Sequence, residues 1–338
     1  MTLYCGIDLH ANNCVVAVTD EEDRPVYLKR LPNQLDVIVE ALRPFESELV
    51  GCVVESTYNW YWLVDGLMEA GFSMQLANTT AIRQYDGLKY TDDHSDARYL
   101  AHLLRLGILP TGYIYPKEER AVRDLLRRRL LLVRQRTMQH LSLQGLIARH
   151  TGRRLGNTAI KGLDREAIDA LLPEGPVALS AQLSSRVMGL LERAAAVLEE
   201  EALRLTKERP EYRLLTTAPG IGKVLGLTIA LETGDIGRFR DAGHYASYAR
   251  CVSSLKTSNG RRKGEGNRKS GNRYLAWAFV EAAHFATIHE PQIRRYYQRK
   301  AATTHLMVAK KAVANKMARA CYPVLSRRTP FEVQRAFG

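Results

Sequence analysis

Four carboxylates in the first third of the chain are the residues whose types and spacing point most directly to chemistry. Asp8 lies inside a strand-like apolar run, and Glu55 ends a second such run. An ionised acid among apolar residues is costly unless it is paired or bound to a metal. Asp93 and Asp96 stand three residues apart at the start of a predicted helix, hence on one face. Such oxygen ligands hold hard cations, and two Mg²⁺ ions about 4 Å apart can stabilise both oxygens of a phosphoryl transfer.

Each of these acids also has a simpler explanation. Asp93 and Asp96 can cap a helix and complement its dipole, and Asp8 can cap a turn. Asp92 is a further candidate ligand, although it precedes Asp96 by four residues rather than three. Two strand acids followed by a helical Asp-x-x-Asp pair are harder to explain structurally as a set. We therefore predict a metal centre that consists of Asp8, Glu55, Asp93 and Asp96.

A polar, basic segment between residues 250 and 274 is the second candidate for chemistry. It holds eight Lys or Arg residues against one Glu, and its four glycines let backbone amides approach a phosphate closely. Ser258, followed by Asn259 and Gly260, is placed to meet a phosphodiester. A serine hydroxyl is a weak nucleophile until it is activated, so a phosphate-binding loop without a nucleophile is the alternative. The predicted nucleic-acid contacts here are Lys256, Arg261, Arg262, Lys263, Arg268 and Lys269.

A glycine hairpin upstream of this segment indicates another phosphate contact. The run Pro219–Lys223 precedes an apolar helix and resembles the hairpin of helix-hairpin-helix modules, whose backbone amides bind a DNA phosphate. We predict that Gly220, Gly222 and Lys223 bind nucleic acid, with an ordinary helix start as the alternative. A Walker nucleotide loop is excluded because Val224 stands where that loop needs Ser or Thr.

Basic residues elsewhere indicate further contacts with phosphate. Residues 117–150 form one long helical pattern that carries Arg127 and Arg128, which we predict to face nucleic acid, the alternative being a solvated helix face. Near the C-terminus, Tyr296 and Tyr297 stand among basic residues. They either stack on bases or pack in the core.

The predicted elements divide the chain into three domains. Residues 1–115 consist of three antiparallel strands followed by strand–helix units, an order that matches a mixed-sheet, RNase H-like fold. Residues 116–210 contain two long helices around a short segment, as in an antiparallel coiled-coil arm. Residues 211–338 are mainly helical and carry the helix-hairpin-helix-like element and Ser258. The predicted fold class is α/β plus α.

The composition is typical of a protein that binds a polyanion. The 338 residues include 49 Lys or Arg against 36 Asp or Glu, a net charge of +13, and binding to phosphates releases condensed counterions. No apolar run is long enough for a bilayer and the N-terminus lacks signal-peptide features, so we expect a cytoplasmic protein without a membrane partner. Five scattered cysteines without a Cys-x-x-Cys spacing argue against a disulfide framework or a structural zinc site.

Together these motifs resemble those of the DEDD insertion-sequence recombinases that are guided by a structured bridge (seeker) RNA from their own element. The matching pieces follow the family's order along nearly the whole chain: Gly6–His10, Val54–Trp60, Asp93–Ala97, Pro219–Gly222, Ser258–Gly260 and Gly264–Asn267. The Ser-Asn-Gly motif is similar to that of the subgroup with subterminal inverted repeats. Many relatives have Gly-Leu-x-Pro and then Ser-Gly, whereas Arg250–Ser253 and Ser258–Asn259 occupy those places here. Ser253, Ser254 and Ser270 therefore stay open as other nucleophiles.

The resemblance implies a RuvC-like domain in which the four acids bind Mg²⁺. It also implies a C-terminal transposase domain in which Ser258 attacks DNA and forms a transient 5′-phosphoserine link. A tetramer assembled through the coiled-coil arm would bring the carboxylates of one subunit to the serine of another. Loops of the guide RNA would pair with target and donor double-stranded DNA, so that base pairing selects the sequences.

Three other functions use only part of these features. A RuvC-like Holliday junction resolvase or nuclease needs only the carboxylates and forms no covalent intermediate. A sugar-kinase or chaperone-like ATPase also opens with Gly-Ile-Asp-Leu, but His10 stands where that fold generally has a glycine for phosphate. A non-enzymatic RNA-binding protein needs none of the acids. We expect RNA-guided DNA strand exchange, because a simple nuclease does not need a serine in a basic loop as a second centre.

Overall fold

The computed structural model describes residues 1–82, 92–252, 255–265 and 270–338. The chain forms two compact units, residues 1–117 and 118–338, each with its own apolar core. The second unit contains both long helices and the region with Ser258, and its division into an arm and a transposase domain stays a prediction. Within the described ranges, no helix is both long enough and apolar enough to cross a membrane.

A mixed sheet is the frame of the first unit. Its strands are β1 (Leu3–Leu9), β2 (Asn13–Thr19), β3 (Pro25–Pro32), β4 (Leu49–Glu55), β5 (Met74–Ala77) and β6 (Thr111–Gly112), in the spatial order β3-β2-β1-β4-β5-β6. The first three strands pair antiparallel, as short turns require, whereas β1, β4 and β5 pair in parallel. The predicted mixed sheet, with three antiparallel strands followed by strand–helix units, is confirmed.

Helices cover both faces of this sheet. They are α1 (Leu35–Leu42), α2 (Tyr61–Glu69) and α3 (Asp93–Arg105), with short 3-10 turns at Arg43–Phe45 and Thr79–Ala81. Because side chains alternate along a strand, Cys5 and Ile7 of β1 pack against α1 and α2, whereas Tyr4 and Gly6 face α3. Asp8 follows Tyr4 and Gly6 in this alternation, and it therefore points to the α3 face of the sheet.

Gly6 determines how closely α3 approaches the sheet. A Cβ atom at Gly6 would lie 2.0 Å from the carbonyl oxygen of Ala97 and 2.7 Å from the backbone nitrogen of Ala101. Only glycine leaves room for a helix backbone at this distance from a strand. The first turn of α3 therefore begins next to the end of β1, where Asp8 lies.

Two long helices open the second unit. These are α4 (Lys117–Thr151) and α7 (Gly175–Thr206), which flank α5 (Asn157–Lys161) and α6 (Arg165–Leu171). Ion pairs join Arg129 to Glu199 at 2.7 Å and Arg136 to Glu192 at 2.9 Å, and these pairs step in opposite directions along the two helices. The long helices are therefore antiparallel neighbours.

The remainder of the second unit is mainly helical, with one small hairpin among its described residues. Its elements are α8 (Pro210–Leu215), α9 (Lys223–Thr233), a 3-10 turn at Ile236–Arg238, α10 (Ala242–Tyr248), β7 (Leu255–Ser258), β8 (Arg261–Glu265), α11 (Arg273–His289), α12 (Pro291–Ala301), α13 (Leu306–Ser326) and α14 (Val333–Phe337). Tyr245 and Phe279 lie at the centre of its core. Tyr296 and Tyr297 pack against the same core, and Lys316 Nζ lies 4.7 Å from the Tyr296 ring. Core packing, rather than base stacking, is thus what their positions support.

The approach of α3 to Gly6 predicts the effect of adding one methyl group. Gly6→Ala should lower the free energy of unfolding of the first unit by about 1–3 kcal/mol, because a Cβ atom overlaps the α3 backbone. Scanning calorimetry of the full chain measures this change. Gly51→Ala on β4 is the matched control, since its Cβ atom would meet Ser73 O at an ordinary 3.4 Å. Equal stability of the two variants would contradict the prediction.

Candidate functional site

Parallel pairing of β1 and β4 brings the two strand acids to the same end of the sheet. Ile7 pairs with Val54, so Asp8 and Glu55 occupy the next position of each strand. The Asp8 side chain is buried, with 7% of the residue exposed. Burial raises the pKa of both carboxyl groups, and the charge of Asp8 raises the pKa of Glu55 further. The two acids are thus close enough to repel each other.

Helix α3 supplies the second pair of acids and takes its cap from a different residue. The Asp92 carboxylate accepts a hydrogen bond from the backbone N–H of Ser95 at 2.7 Å, and the Asp92 N–H donates to Ser95 Oγ at 2.8 Å. This reciprocal capping box holds the pKa of Asp92 below its usual value. The capping role considered for Asp93 and Asp96 therefore falls to Asp92, whose carboxylate is engaged at the helix start.

Asp8, His10 and Asp93 meet most closely. His10 Nε2 lies 3.1 Å from Asp8 Oδ2 and 3.2 Å from Asp93 Oδ2, and one ligand atom from each of the three residues lies within 4.8 Å of the others. Arg30 on β3 donates to Asp93 Oδ2 at 2.5 Å and lowers the pKa of Asp93. Burial raises the pKa of Asp96, as does the charge of Asp93, and the Asp96 charge in turn raises the pKa of Asp8. The four predicted acids are therefore brought together.

The donor set fits a divalent cation. Asp8 Oδ2 and His10 Nε2 are both buried, and although they lie 3.1 Å apart, neither makes a contact with the geometry of a hydrogen bond. Buried polar atoms are normally satisfied, and a cation would satisfy an orphaned carboxylate oxygen that faces an imidazole nitrogen and a second carboxylate. A bound ion would also offset the repulsion that raises the pKa of Glu55 and Asp96.

His10 and Arg30 were not among the predicted site residues. His10 stands two residues after Asp8, a spacing that in a strand keeps two side chains on one face, and this was the available signal. Its carbonyl oxygen accepts hydrogen bonds from Asn59 Nδ2 at 2.9 Å and Asn33 Nδ2 at 3.0 Å, which fix the loop after β1. The contact of Arg30 with Asp93 spans 63 residues of sequence and had no local signal.

Ser258 lies at the tip of the β7–β8 hairpin. Asn259 and Gly260 form its two-residue turn with φ angles of 52° and 71°, the positive values that a type I′ turn requires, and Ser258 pairs with Arg261. Ser258, Arg261 and Lys263 are all exposed. The hairpin therefore presents a hydroxyl group beside cations.

Other predicted contacts of this segment are described only in part. Lys256 lies on β7 and Arg262 on β8. Arg268 and Lys269 lie outside the described residues, as do the alternative nucleophiles Ser253 and Ser254. The third alternative, Ser270, is exposed next to the base of the hairpin segment.

The glycine hairpin has two different glycines. Gly220, with a φ of +81°, packs against α11, where a Cβ atom would lie 2.3 Å from Ala282 O. Gly222 is the N-cap residue of α9 and would have no atom within 4 Å of a Cβ atom, and Lys223 is the first residue of the helix. Gly220 and Gly222 both line an open groove of about 710 Å³. Gly220 thus serves close packing, while Gly222 and Lys223 face the side on which an anion could approach the helix start.

The two arginines predicted to face nucleic acid differ in their surroundings. Arg127 donates from Nε and Nη2 to the two carboxylate oxygens of Glu232, at 2.6 and 2.7 Å. Arg128 is exposed. The position of Arg127 therefore does not support the prediction of a phosphate contact, because its guanidinium binds Glu232. The exposed position of Arg128 is compatible with such a contact.

Comparisons with known proteins agree with this arrangement. The transposase family model DEDD_Tnp_IS110 matches residues 5–151, and the model described as the transposase IS116/IS110/IS902 family matches residues 212–298. The transposase for insertion sequence element IS1111A from Coxiella burnetii is 23% identical over 96% of this chain and 87% of its own length. The insertion element IS110 protein of Streptomyces coelicolor is 32% identical over 36% of this chain and 29% of its own. The insertion element IS116 protein of Streptomyces clavuligerus is 34% identical over 28% of this chain and 23% of its own length.

The protein is thus an insertion-sequence transposase, an enzyme that cleaves and rejoins DNA. Residues 212–298 are similar to the transposase IS116/IS110/IS902 family, and residues 5–151 are similar to its DEDD transposase domain. Such a domain implies the use of a divalent metal, which agrees with the donor set of Asp8, His10 and Asp93.

The acid cluster predicts opposite effects of one substitution with and without metal. Without metal, Asp8→Asn should raise the melting temperature, because a carboxyl whose pKa is raised by folding destabilises the fold once it ionises. For the same reason the metal-free wild type should lose stability as the pH rises through the raised pKa of Asp8. Added Mg²⁺ or Mn²⁺ should raise the melting temperature of the wild type and leave Asp8→Asn unchanged.

Asp92→Asn is the control for this comparison, since Asn caps a helix as well as Asp and the substitution removes a nearby charge. It should keep the response to metal. An equal metal response in Asp8→Asn and the wild type would show that the ion binds elsewhere.

Proposed function

We propose that this transposase is an RNA-guided, site-specific DNA recombinase that combines a Mg²⁺ centre with a serine nucleophile. Asp8, Glu55, Asp93 and Asp96 hold the metal, and Ser258 attacks the DNA. The observation that carries the proposal beyond a metal-dependent nuclease is the position of Ser258, exposed beside cations at the tip of a tight hairpin. A hydrolytic enzyme that activates water has no need of a serine presented in this way.

The first unit supports an RNase H-like, RuvC-like assignment. Its sheet has three antiparallel strands followed by parallel strands in the order β3-β2-β1-β4-β5. Asp8 lies on the central β1, Glu55 lies at the end of the adjacent β4, and α3 crosses the sheet with its own acids. The order strand acid, strand acid, helical Asp-x-x-Asp also agrees with the four letters of the family's domain name.

Each residue of the acid centre has a role in holding a cation against a phosphate. Mg²⁺, when bound, supplies positive charge that polarises a phosphoryl oxygen. Asp8 and Asp93 offer the closest oxygens, with His10 as a nitrogen donor between them. Arg30 fixes the orientation of the Asp93 carboxylate through its hydrogen bond. These contacts set the ligand geometry before DNA arrives.

The chemical step assigned to Ser258 conserves the number of phosphodiester bonds. The serine oxygen attacks phosphorus and loses its proton, the bond to the 3′ oxygen breaks, and that oxygen leaves as a protonated 3′-hydroxyl. The 5′ phosphate stays on the serine, and attack by another 3′-hydroxyl reverses the step and rejoins the strands. Arg261 and Lys263, both exposed on the hairpin, stabilise the charge on the phosphate.

The partners proposed are target and donor double-stranded DNA and a guide RNA encoded by the element. The net charge of +13 supports polyanion binding, and Gly222 with Lys223 offers a phosphate site at the start of α9. Base pairing with the RNA would select the DNA sequences, which leaves backbone contacts to the protein.

Self-association into a tetramer is the remaining part of the proposal, with the long helices acting as a coiled-coil arm. On α7, Leu183, Val187, Leu190 and Val197 follow the spacing of a heptad and are 51%, 40%, 60% and 64% exposed. An apolar stripe of this length on the exposed face of a helix is typical of an interface. A second copy of the chain, which carries the same heptad spacing, is the proposed partner.

Ser258→Ala should abolish the covalent protein–DNA adduct, because no hydroxyl remains to attack phosphorus. Purified protein with its co-purified RNA, both DNA partners and Mg²⁺ is analysed on a denaturing gel. Ser270→Ala, which changes an exposed serine of the same segment, should leave the adduct intact. Metal-dependent DNA cleavage that persists without adduct in Ser258→Ala and in the wild type would favour the junction-resolvase alternative.

RNA that co-purifies with the protein tests the guide separately. Sequencing should recover one defined transcript encoded next to the transposase gene, and addition of that transcript to RNA-free protein should restore recombination. Recovery of only bulk cellular RNA would overturn RNA guidance while leaving the Ser258 assignment open to its own test.

A further inference from the structure

We propose that a partly buried network of Arg127, Glu232 and Asn272 positions the hairpin that carries Ser258 and ties it to the long helix α4. The inference rests on the proposed function, in which Ser258 is the nucleophile. Arg127 and Glu232 are positioning residues in this scheme, because they act on Ser258 only through Asn272 and the backbone next to it.

The two ends of the hairpin segment are joined at one point. The backbone N–H of Asn272 donates to the carbonyl oxygen of Tyr248 at 2.6 Å, and Arg250 Nε donates to the carbonyl oxygen of Gly271 at 3.0 Å. Gly271 has a φ of +87°, and a Cβ atom there would lie 2.5 Å from Tyr248 O. Tyr248 and Arg250 therefore meet Gly271 and Asn272 at a tightly packed base.

Asn272 connects this base to the core. Its Oδ1 atom accepts hydrogen bonds from the backbone N–H groups of Tyr274 and Leu275, at 2.8 and 3.0 Å, and so caps α11. Its Nδ2 atom donates to Glu232 Oε2 at 2.7 Å. Since Asn272 is 8% exposed and both ends of its side chain are bonded, its position is fixed from two sides.

Glu232 links Asn272 to α4. It lies in the last turn of α9 with 2% of its surface exposed, and both of its carboxylate oxygens accept from Arg127 in a two-point contact. The Arg127 guanidinium also lies 4.5 Å from the ring centre of Tyr274, at the start of α11. A planar fork held by two bonds and a stacked ring admits one orientation.

A buried ion pair is a poor means of stabilising a core, because desolvation offsets most of its attraction, but it specifies geometry well. Here the specified geometry is that of the hairpin base relative to a helix of 35 residues. A tilt of α4 at Arg127 would therefore move Asn272 and, through its bond to Tyr248, both sides of the base from which the hairpin with Ser258 extends. Nucleophilic attack is sensitive to such placement, since an error of about 1 Å can cost 100-fold in rate.

Glu232→Gln and Arg127→Lys test the network, because each keeps the size of the side chain but removes the two-point contact. Both should slow adduct formation by about 10-fold or more. Amide hydrogen exchange in residues 255–265 should accelerate, while DNA binding and the rise of melting temperature with Mg²⁺ stay as in the wild type. The double variant Glu232→Gln with Asn272→Asp restores a donor–acceptor pair with reversed roles, and it should recover part of the lost protection in the hairpin.

Glu192→Gln is the matched control. It breaks the pair with Arg136, which also joins α4 to another helix of the unit, and it should change neither hairpin exchange nor adduct formation. Unchanged exchange and adduct rates in both network variants would overturn the proposal. Loss of protection throughout α9 and α11 in both would overturn it too, since the network would then only stabilise the core.

The exchange measurement does not depend on the identity of the nucleophile. If Ser258→Ala retains the adduct, the proposed function of the serine fails, while faster exchange of residues 255–265 in Glu232→Gln still supports positioning of the hairpin. If Ser258→Ala loses the adduct and hairpin exchange in Glu232→Gln is that of the wild type, the serine stands and the positioning network fails.

Discussion

The close contact between Gly6 of β1 and helix α3 is the constraint on which the acid centre depends. Strand alternation puts Gly6 and Asp8 on one face of the sheet, and the missing side chain lets the α3 backbone occupy the space of a Cβ atom. The first turn of α3 consequently meets Asp8. A larger residue at position 6 would displace Asp93 and Asp96 together with their helix, so one glycine controls the approach of acids from separate parts of the chain.

Assembly of these acids is unfavourable by itself, and other contacts impose it. Burial and mutual repulsion raise the pKa of Asp8, Glu55 and Asp96, whereas Arg30 lowers that of Asp93. The parallel register of β1 with β4 and the packing of α3 fix the backbone positions regardless of this repulsion. The centre is thus held by its scaffold rather than by attraction among its own side chains, and a divalent cation held there would supply the missing positive charge.

The sequence predicted the local elements and the convergence of the acids, because both follow from short-range rules. Short turns force antiparallel hairpins, and parallel crossovers bring strand ends together, which aligned Asp8 with Glu55. Which acid caps α3 was not predictable, since three aspartates stand near the helix start and only the extended backbone at Asp92 decides among them. The contact of Arg30 with Asp93 depends on the register of β3 in the folded sheet, and local sequence contains no information on it.

Arg127 and Arg128 show that composition does not identify the residues that contact a partner. A net charge of +13 indicates a polyanionic partner but does not reveal which cation faces it. Arg127 and Arg128 are neighbours, yet helical geometry turns the first toward Glu232 and the second toward solvent. The sequence feature that indicated the internal contact of Arg127 was its partner Glu232. Glu232 stands in an apolar helix, and a buried carboxylate needs a cation. The same argument that singled out Asp8 therefore applies to Glu232. Several converging acids form a donor set that fits a metal, whereas the single acid Glu232, in an apolar helix, is paired with an arginine.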